Sequence, residues 1–179
     1  MNIKIKDMVM IGLAASLMAV FSQIAIPLPF SVVPVTLQVF CVVIISMILD
    51  KKCSTIALII YTLIGAIGIP VYSNFNGGFG VLFGPLGGYI FGFIIMAFIV
   101  GFFKEKDNKV ILFIGAYFGM VAEYVVGILQ LKLVLRLTLQ QALVSGLYPF
   151  IVKDLVMVAI GVIVGGVIRK RIAVVGCRL

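Results

Sequence analysis

Residues 85–103 read Pro85-Leu-Gly-Gly-Tyr-Ile-Phe-Gly-Phe-Ile-Ile-Met-Ala-Phe-Ile-Val-Gly-Phe-Phe103, an apolar run without one charged side chain. A hydrocarbon core about 30 Å thick takes roughly 20 such residues as a helix, so the stretch predicts a membrane span. Proline stands at its first turn, where a missing N–H breaks no intrahelical bond. Lys104 and Lys106 close it. Outward from it, the same reading gives spans at about 8–26, 36–49, 54–69, 110–131 and 149–168. Span 36–49 is short unless the apolar 30–35 also lies at membrane depth. Span 54–69 stops before Pro70, because the residue ahead of a proline leaves the α region.

Composition agrees along the whole chain. Of 179 residues, 64% are hydrophobic and 11% charged, with mean hydropathy +1.33. A soluble domain is about 45–50% apolar and about 25% charged, and a disordered chain departs in the opposite direction. Both classes are excluded, and no room remains for a separate soluble domain. The expected fold is an all-α integral membrane protein, one six-transmembrane-helix bundle over residues 1–179.

The net charge of +8 is not a nucleic-acid signature, because the basic residues sit at span ends. Lys4 and Lys6, Lys51 and Lys52, Lys104, Lys106 and Lys109, and Arg169, Lys170, Arg171 and Arg178 fall on one side of a six-span chain. Only Lys132 and Arg136 fall on the other. The positive-inside rule then puts both termini in the cytoplasm, and an odd span count would scatter the clusters. The first span lacks a signal-peptide cleavage pattern and is read as retained. Lipid is the expected surrounding, with no nucleic-acid partner.

Enzyme chemistry finds little support. There is no histidine and no G-x-x-x-x-G-K-[ST] phosphate loop. Cys41, Cys53 and Cys177 make neither a metal pattern nor a disulfide framework. No metal or cofactor is expected, and uphill movement of a solute would need a partner or an ion gradient.

The loops 27–35 and 70–84 carry no charge. The second runs Pro70-Val-Tyr-Ser-Asn-Phe-Asn-Gly-Gly-Phe-Gly-Val-Leu-Phe-Gly84. It reads either as a tight re-entrant turn or as the wall of an outward-facing pocket, where glycines admit close backbone approach and aromatics offer flat apolar contact. Three ionisable residues lie in or near the hydrocarbon: Glu123, Lys153 and Asp154. A mid-bilayer charge costs about 2.5–3.5 kcal/mol on insertion scales and usually faces the bundle interior. Asp154 shares a helix face with Gly161 and Gly165, and small residues mark packing faces, so it points inward. Lys153 lies roughly 100° round the helix, able to meet another partner or to snorkel. The two also read as an interfacial pair at a helix start. Glu123 shares a stripe with Gly115, Gly119 and Gly127 and reads equally as an interhelical hydrogen-bonding group or a functional acid. In span one, the pairs Gly12/Ser16 and Ala15/Ala19 suit bundle packing or docking of another membrane subunit.

Several segments carry a family likeness: Pro34-Val-Thr-Leu-Gln38, Gly65-Ala-Ile-Gly-Ile-Pro-Val-Tyr72, Gly77-Gly-Phe-Gly-Val-Leu82, Gly84-Pro-Leu-Gly-Gly-Tyr-Ile-Phe-Gly-Phe93, Pro149-Phe-Ile151 and Asp154-Leu155. In their order, and in span number, the chain resembles the BioY family. These are the biotin-capturing substrate (S) components of energy-coupling factor (ECF) transporters. The resemblance implies capture of biotin from outside and transport across a prokaryotic cytoplasmic membrane by a multi-pass protein. Energy would come from a transmembrane coupling subunit carrying two ATP-binding-cassette ATPases. It implies Asp154 as acceptor for the urea N–H groups, Asn76 as a further urea contact, and Phe75, Phe79, Tyr89 and Tyr148 around the apolar part. Gln38, from the first segment, joins the ligand-binding set. Ala15 and Ala19 would form the docking face. The chain departs from the pattern at Met157, where the family commonly has lysine, and at Leu86, where it has threonine. Lys153 is then the candidate cation for the biotin carboxylate, and a biotin precursor or related vitamin is the alternative ligand. From other classes, the residues leave open a small membrane enzyme using Asp154 or Glu123, and an assembly subunit.

Overall fold

The structure is a computed structural model that describes residues 4–106 and 108–174; Cys177 and Arg178 lie outside the described residues. In chain order they form α1 (Ile5–Gln23), β1 (Ala25–Leu28), β2 (Ser31–Thr36), α2 (Gln38–Ile48), α3 (Lys51–Ala66), α4 (Phe79–Leu82), α5 (Gly87–Lys104), α6 (Lys109–Leu135), α7 (Leu139–Gly146) and α8 (Tyr148–Val174). A single 3-10 turn, Ser73–Phe75, lies between α3 and α4.

The helical class holds, but the six expected spans are not six long helices. Among the described residues α1, α5, α6 and α8 are long and apolar enough to cross a membrane. The helix α2 has 11 residues and α3 has 16. The reason lies in residues 25–36, expected to be the end of span one and a loop. They pair instead as an antiparallel hairpin, Ala25 opposite Thr36 and Ile26 opposite Val35. Ile26, Val32, Val33 and Val35 are residues that favour a pleated surface. Pro27 and Pro34 are tolerated because a two-stranded hairpin has open edges. The hairpin ends α1 at Gln23 and delays α2 to Gln38.

Capping sets other boundaries. The Asp50 carboxylate accepts the Cys53 backbone N–H at 2.6 Å, so α3 starts earlier than expected, with Lys51 and Lys52 in its first turn. Asn108 Oδ1 accepts from the N–H groups of Val110 and Ile111 and starts α6. That helix runs past the expected end to Leu135, and Arg136 terminates it in the left-handed conformation. The short α7 was not foreseen. Its signal was present as a capping box, Thr138 with Gln141 three residues on. Pro85 lies in the turn before α5 rather than in its first turn.

Packing is tightest between α5 and α6, where a Cβ on Gly92 would stand 2.8 Å from Glu123 Cα. The helix α2 sits in the centre, burying Val42, Val43, Ile45 and Met47. It meets α8 at the expected small-residue stripe: Cβ atoms on Gly161 and Gly165 would stand 3.0 Å from Val43 and 2.6 Å from Met47. Asp154 does lie inward, 3% exposed. Ala15 is also turned into the bundle at 4% exposure. Gly12 and Ser16 face outward, and Ala19 lies between. Leu13, Val20, Phe98, Phe118, Val125, Val156 and Ile163 form an exposed apolar exterior, the surface a helix bundle presents to lipid rather than to water.

Candidate functional site

A cavity opens where the hairpin, the 3-10 turn, α2, α5, α6 and α8 converge. Its empty volume is about 570 Å³, counting the open solvent at its mouth. Its floor is ionic. Asp154 Oδ2 accepts the Tyr124 hydroxyl at 2.5 Å. Asp154 Oδ1 lies 2.7 Å from Lys153 Nζ, in ion-pair contact without hydrogen-bond alignment. Lys153 Nζ donates across to the Thr36 carbonyl at 2.6 Å, tying α8 to the end of β2. Lys153 therefore neither snorkels nor points elsewhere. Its long stem bends back over the adjacent acid, because an unpaired carboxylate here would be costly.

Tyr89, Phe93 and Phe150 supply apolar wall. Tyr89 is 7% exposed. Its ring stands edge-on to Tyr124 with centroids 6.4 Å apart, and its hydroxyl donates to the Gly146 carbonyl at 2.9 Å. Gly127 makes the room, since a Cβ there would fall 2.4 Å from the Tyr89 ring. Gln38 lines the cavity too, and its Nε2 donates to the Tyr61 hydroxyl at 3.1 Å. Glu123 completes the polar set, 2% exposed.

The glycine-rich loop is a fixed wall. Ser22 Oγ donates to the Val71 carbonyl at 2.5 Å, and Gln23 Nε2 to the Tyr72 carbonyl at 3.1 Å. The Tyr72 hydroxyl donates to the Thr62 carbonyl at 2.6 Å. Burial pushes that phenol up to about 12, so it stays a neutral donor at physiological pH. On the far side Gln130 Nε2 donates to the carbonyls of Leu82 and Gly84 at 2.6 and 2.8 Å. Tyr72, Ser73, Val81 and Leu86 face the cavity. Replacing Gln130 with alanine orphans two carbonyls, at about 1–3 kcal/mol for each that stays dry. The expected result is a lower melting temperature and faster amide exchange over 79–86; unchanged exchange there would refute the tether.

Of the residues singled out in the sequence, the cavity gathers Asp154, Lys153, Tyr89 and Gln38. It does not gather Asn76, Phe75, Phe79 or Tyr148. Phe75, Phe79 and Tyr148 are 71%, 60% and 58% exposed. The Asn76 side chain donates to the Ser73 carbonyl at 2.9 Å, closing its own turn. Tyr124 escaped the sequence reading, and Phe93 and Phe150 were read there only as parts of the family-like segments, without a place in the site. Helical spacing carried a signal for two: Phe93 follows Tyr89 by one turn and Phe150 precedes Asp154 by one turn, so each shares its partner's face.

A second, wider cavity of about 1,330 Å³ lies at the opposite end between α6 and α8, near Lys104, Lys109, Arg169 and Lys170. None of the expected ligand residues lines it. The first cavity pairs an apolar body with fixed acceptors and one ammonium group. That arrangement suits a small molecule carrying N–H donors, an apolar framework and an anionic end. Among the described residues no His/Cys/Asp/Glu cluster could hold a metal ion.

Comparison with known proteins points the same way. The sequence pattern of the BioY family matches residues 1–174. A protein of Thermotoga maritima named biotin transporter BioY is 35% identical over 166 residues, covering 92% of this chain and 96% of its own. A probable biotin transporter BioY of Pyrococcus horikoshii is 34% identical over 161 residues, covering 90% and 94%. The crystal structure of the S-component for biotin from an ECF-type ABC transporter matches with a TM-score of 0.85 at 26% identity, over 93% of this chain and 92% of that one.

Proposed function

The chain belongs to the BioY family, and from that premise we propose that it captures biotin and carries it across the membrane as the S component of an ECF transporter. It is a transporter component and not an enzyme. ATP is hydrolysed in partner subunits. The observation that carries this reading is the cavity in which one lysine, two acids and five aromatic rings converge beneath a tethered, uncharged loop. Biotin presents a planar urea with two N–H donors and a carbonyl, an apolar fused thioether ring, and a valeryl chain ending in a carboxylate. Tyr89, Phe93 and Phe150 suit the ring and chain. Lys153 is the cation among the cavity-lining residues and takes the carboxylate, in place of a lysine at Met157.

The finer picture is proposed with it. The six helices α1, α2, α3, α5, α6 and α8 cross a prokaryotic cytoplasmic membrane, the hairpin completing the depth that α2 lacks. Both termini lie in the cytoplasm, which the basic span ends support. A transmembrane coupling subunit with two ATP-binding-cassette ATPases docks along α1, through the outward Gly12 and Ser16 with Ala19 at their edge, while Ala15 supports them from inside.

Calorimetric titration of the detergent-purified, ligand-free protein tests the reading. Biotin is expected to bind tightly, and biotin amide about 10–100-fold more weakly, because a charge-assisted contact to Lys153 is worth about 1.5–3 kcal/mol. Absence of binding by folded protein would remove biotin as the ligand. Equal affinity for the amide would remove Lys153 as the carboxylate partner.

A further inference from the structure

We infer that Glu123 is a ligand-binding residue, a buried acceptor that takes a urea N–H of the bound molecule, beside the Asp154 carboxylate that pairs with Lys153. The inference rests on the reading of the cavity as a biotin site. It begins from the state of the two acids. Asp154 Oδ2 accepts from the Tyr124 hydroxyl, and Oδ1 lies in ion-pair contact with the Lys153 ammonium although it makes no aligned hydrogen bond. Glu123 Oε2 is buried with no hydrogen-bond partner among the described residues. A buried polar atom left unpaired is costly, and a native structure that keeps one calls for a reason.

Interhelical hydrogen bonding, the other reading of Glu123, is not what its neighbourhood offers. Across from it α5 presents Gly92, which has no side chain to donate. A Cβ there would meet Glu123 at Cα, Cγ and the backbone carbonyl, 2.8–2.9 Å away. Gly92 thus lets the helices close over the stem of Glu123 while its side chain lines the cavity. The charged and titratable groups that bear on it are Asp154 and Lys153 from α8, together with Tyr89 from α5 and its own neighbour Tyr124. Both hydroxyls are already committed, Tyr89 to Gly146 and Tyr124 to Asp154. Lys153 directs two of its three N–H donors to Asp154 and Thr36, and the third is the one the ligand's carboxylate takes. The donor that Glu123 lacks must therefore come from whatever fills the cavity. A urea edge brings two N–H groups with no charge of its own, which suits a site already holding two acids against one lysine.

The test is a cycle of protein and ligand changes on the full chain in detergent. Biotin and its two urea N-methyl derivatives are titrated into the unmodified protein, Glu123→Gln and Glu123→Ala. In the unmodified protein one N-methyl derivative is expected to bind about 10–100-fold more weakly than biotin. Glu123→Ala should weaken biotin by a similar factor and bind biotin and that derivative within about twofold of each other. Glu123→Gln, which keeps an acceptor oxygen, should recover most of the affinity. Infrared difference spectra with and without biotin give a reading that does not depend on how Glu123→Ala folds. A carboxyl band that moves on binding should be missing from Glu123→Gln. Should the unmodified protein fail to bind biotin, the functional reading falls and takes this inference with it. If it binds but Glu123→Ala keeps the full methylation penalty, or no Glu123-dependent band moves, the inference alone is overturned.

Discussion

Asp154→Ala is expected to lose biotin binding by at least about 100-fold and to lower the stability of the bundle as well. The substitution removes the partner of a lysine whose side chain is 22% exposed and strands the Tyr124 hydroxyl in the interior. Breaking a buried pair by deleting one partner typically costs about 3–5 kcal/mol, because the remaining charge stays desolvated. The affinity loss then comes through Lys153. Without Asp154 the ammonium group keeps only the Thr36 carbonyl and no longer stands fixed over the cavity. Asp154→Asn separates the two effects, since it keeps an acceptor for Tyr124 and removes the charge. It should fold better than alanine and still bind poorly. Titration beside a thermal melt reads both quantities. Full affinity in a folded Asp154→Ala protein would show that the ion pair has no part in holding the ligand.

Gly92→Ala should destabilise the bundle and disturb the cavity together. The new Cβ would stand 2.8 Å from Glu123 Cα and 2.9 Å from its carbonyl oxygen. Backbone atoms cannot swing aside as a flexible side chain can, so α5 and α6 must separate. Overpacking of this kind typically costs about 1–3 kcal/mol and sometimes more, and here it also displaces Glu123 from the cavity. Gly12→Ala is the matched control, with nothing within 4 Å of the added atom. Alanine is the better helix former by about 0.8–1 kcal/mol, so that variant should melt at or above the unmodified protein. If both variants melt alike, the close approach of α5 to α6 is not what holds the bundle together. Gly12→Ala has a second use: with Gly12 on the outward face of α1, normal biotin binding with weakened assembly would support docking there.

Much of this protein was readable without coordinates because bilayer physics acts on composition and spacing. Long uncharged runs, basic span ends and the glycine–proline loop are local features. They led to a helical membrane protein and to a family whose pattern covers residues 1–174. The stripe of Asp154, Gly161 and Gly165 was also legible, because a helix puts such spacings on one face. So was the capping box that starts α7, though it was passed over among the apolar runs.

The cavity itself was decided by tertiary contacts. Phe75 and Phe79 have the right chemistry for an apolar wall, but Asn74 and Phe75 adopt positive φ in a turn that carries Phe75 outward. Tyr124 and Phe93 gain their roles only when α5, α6 and α8 meet. Lys153 meets Thr36 across 117 positions of sequence, and its pairing with Asp154 depends on a rotamer that helical spacing does not specify. Glu123 could not be assigned from its stripe of glycines, because a packing face and a cavity face have the same period. The amino-acid sequence by itself determined which segments leave water, since that depends on each segment's own hydropathy. Only the tertiary structure decided which polar groups those segments satisfy among themselves and that Glu123 Oε2, among the described residues, is left without a hydrogen-bond partner, since that depends on distances between helices.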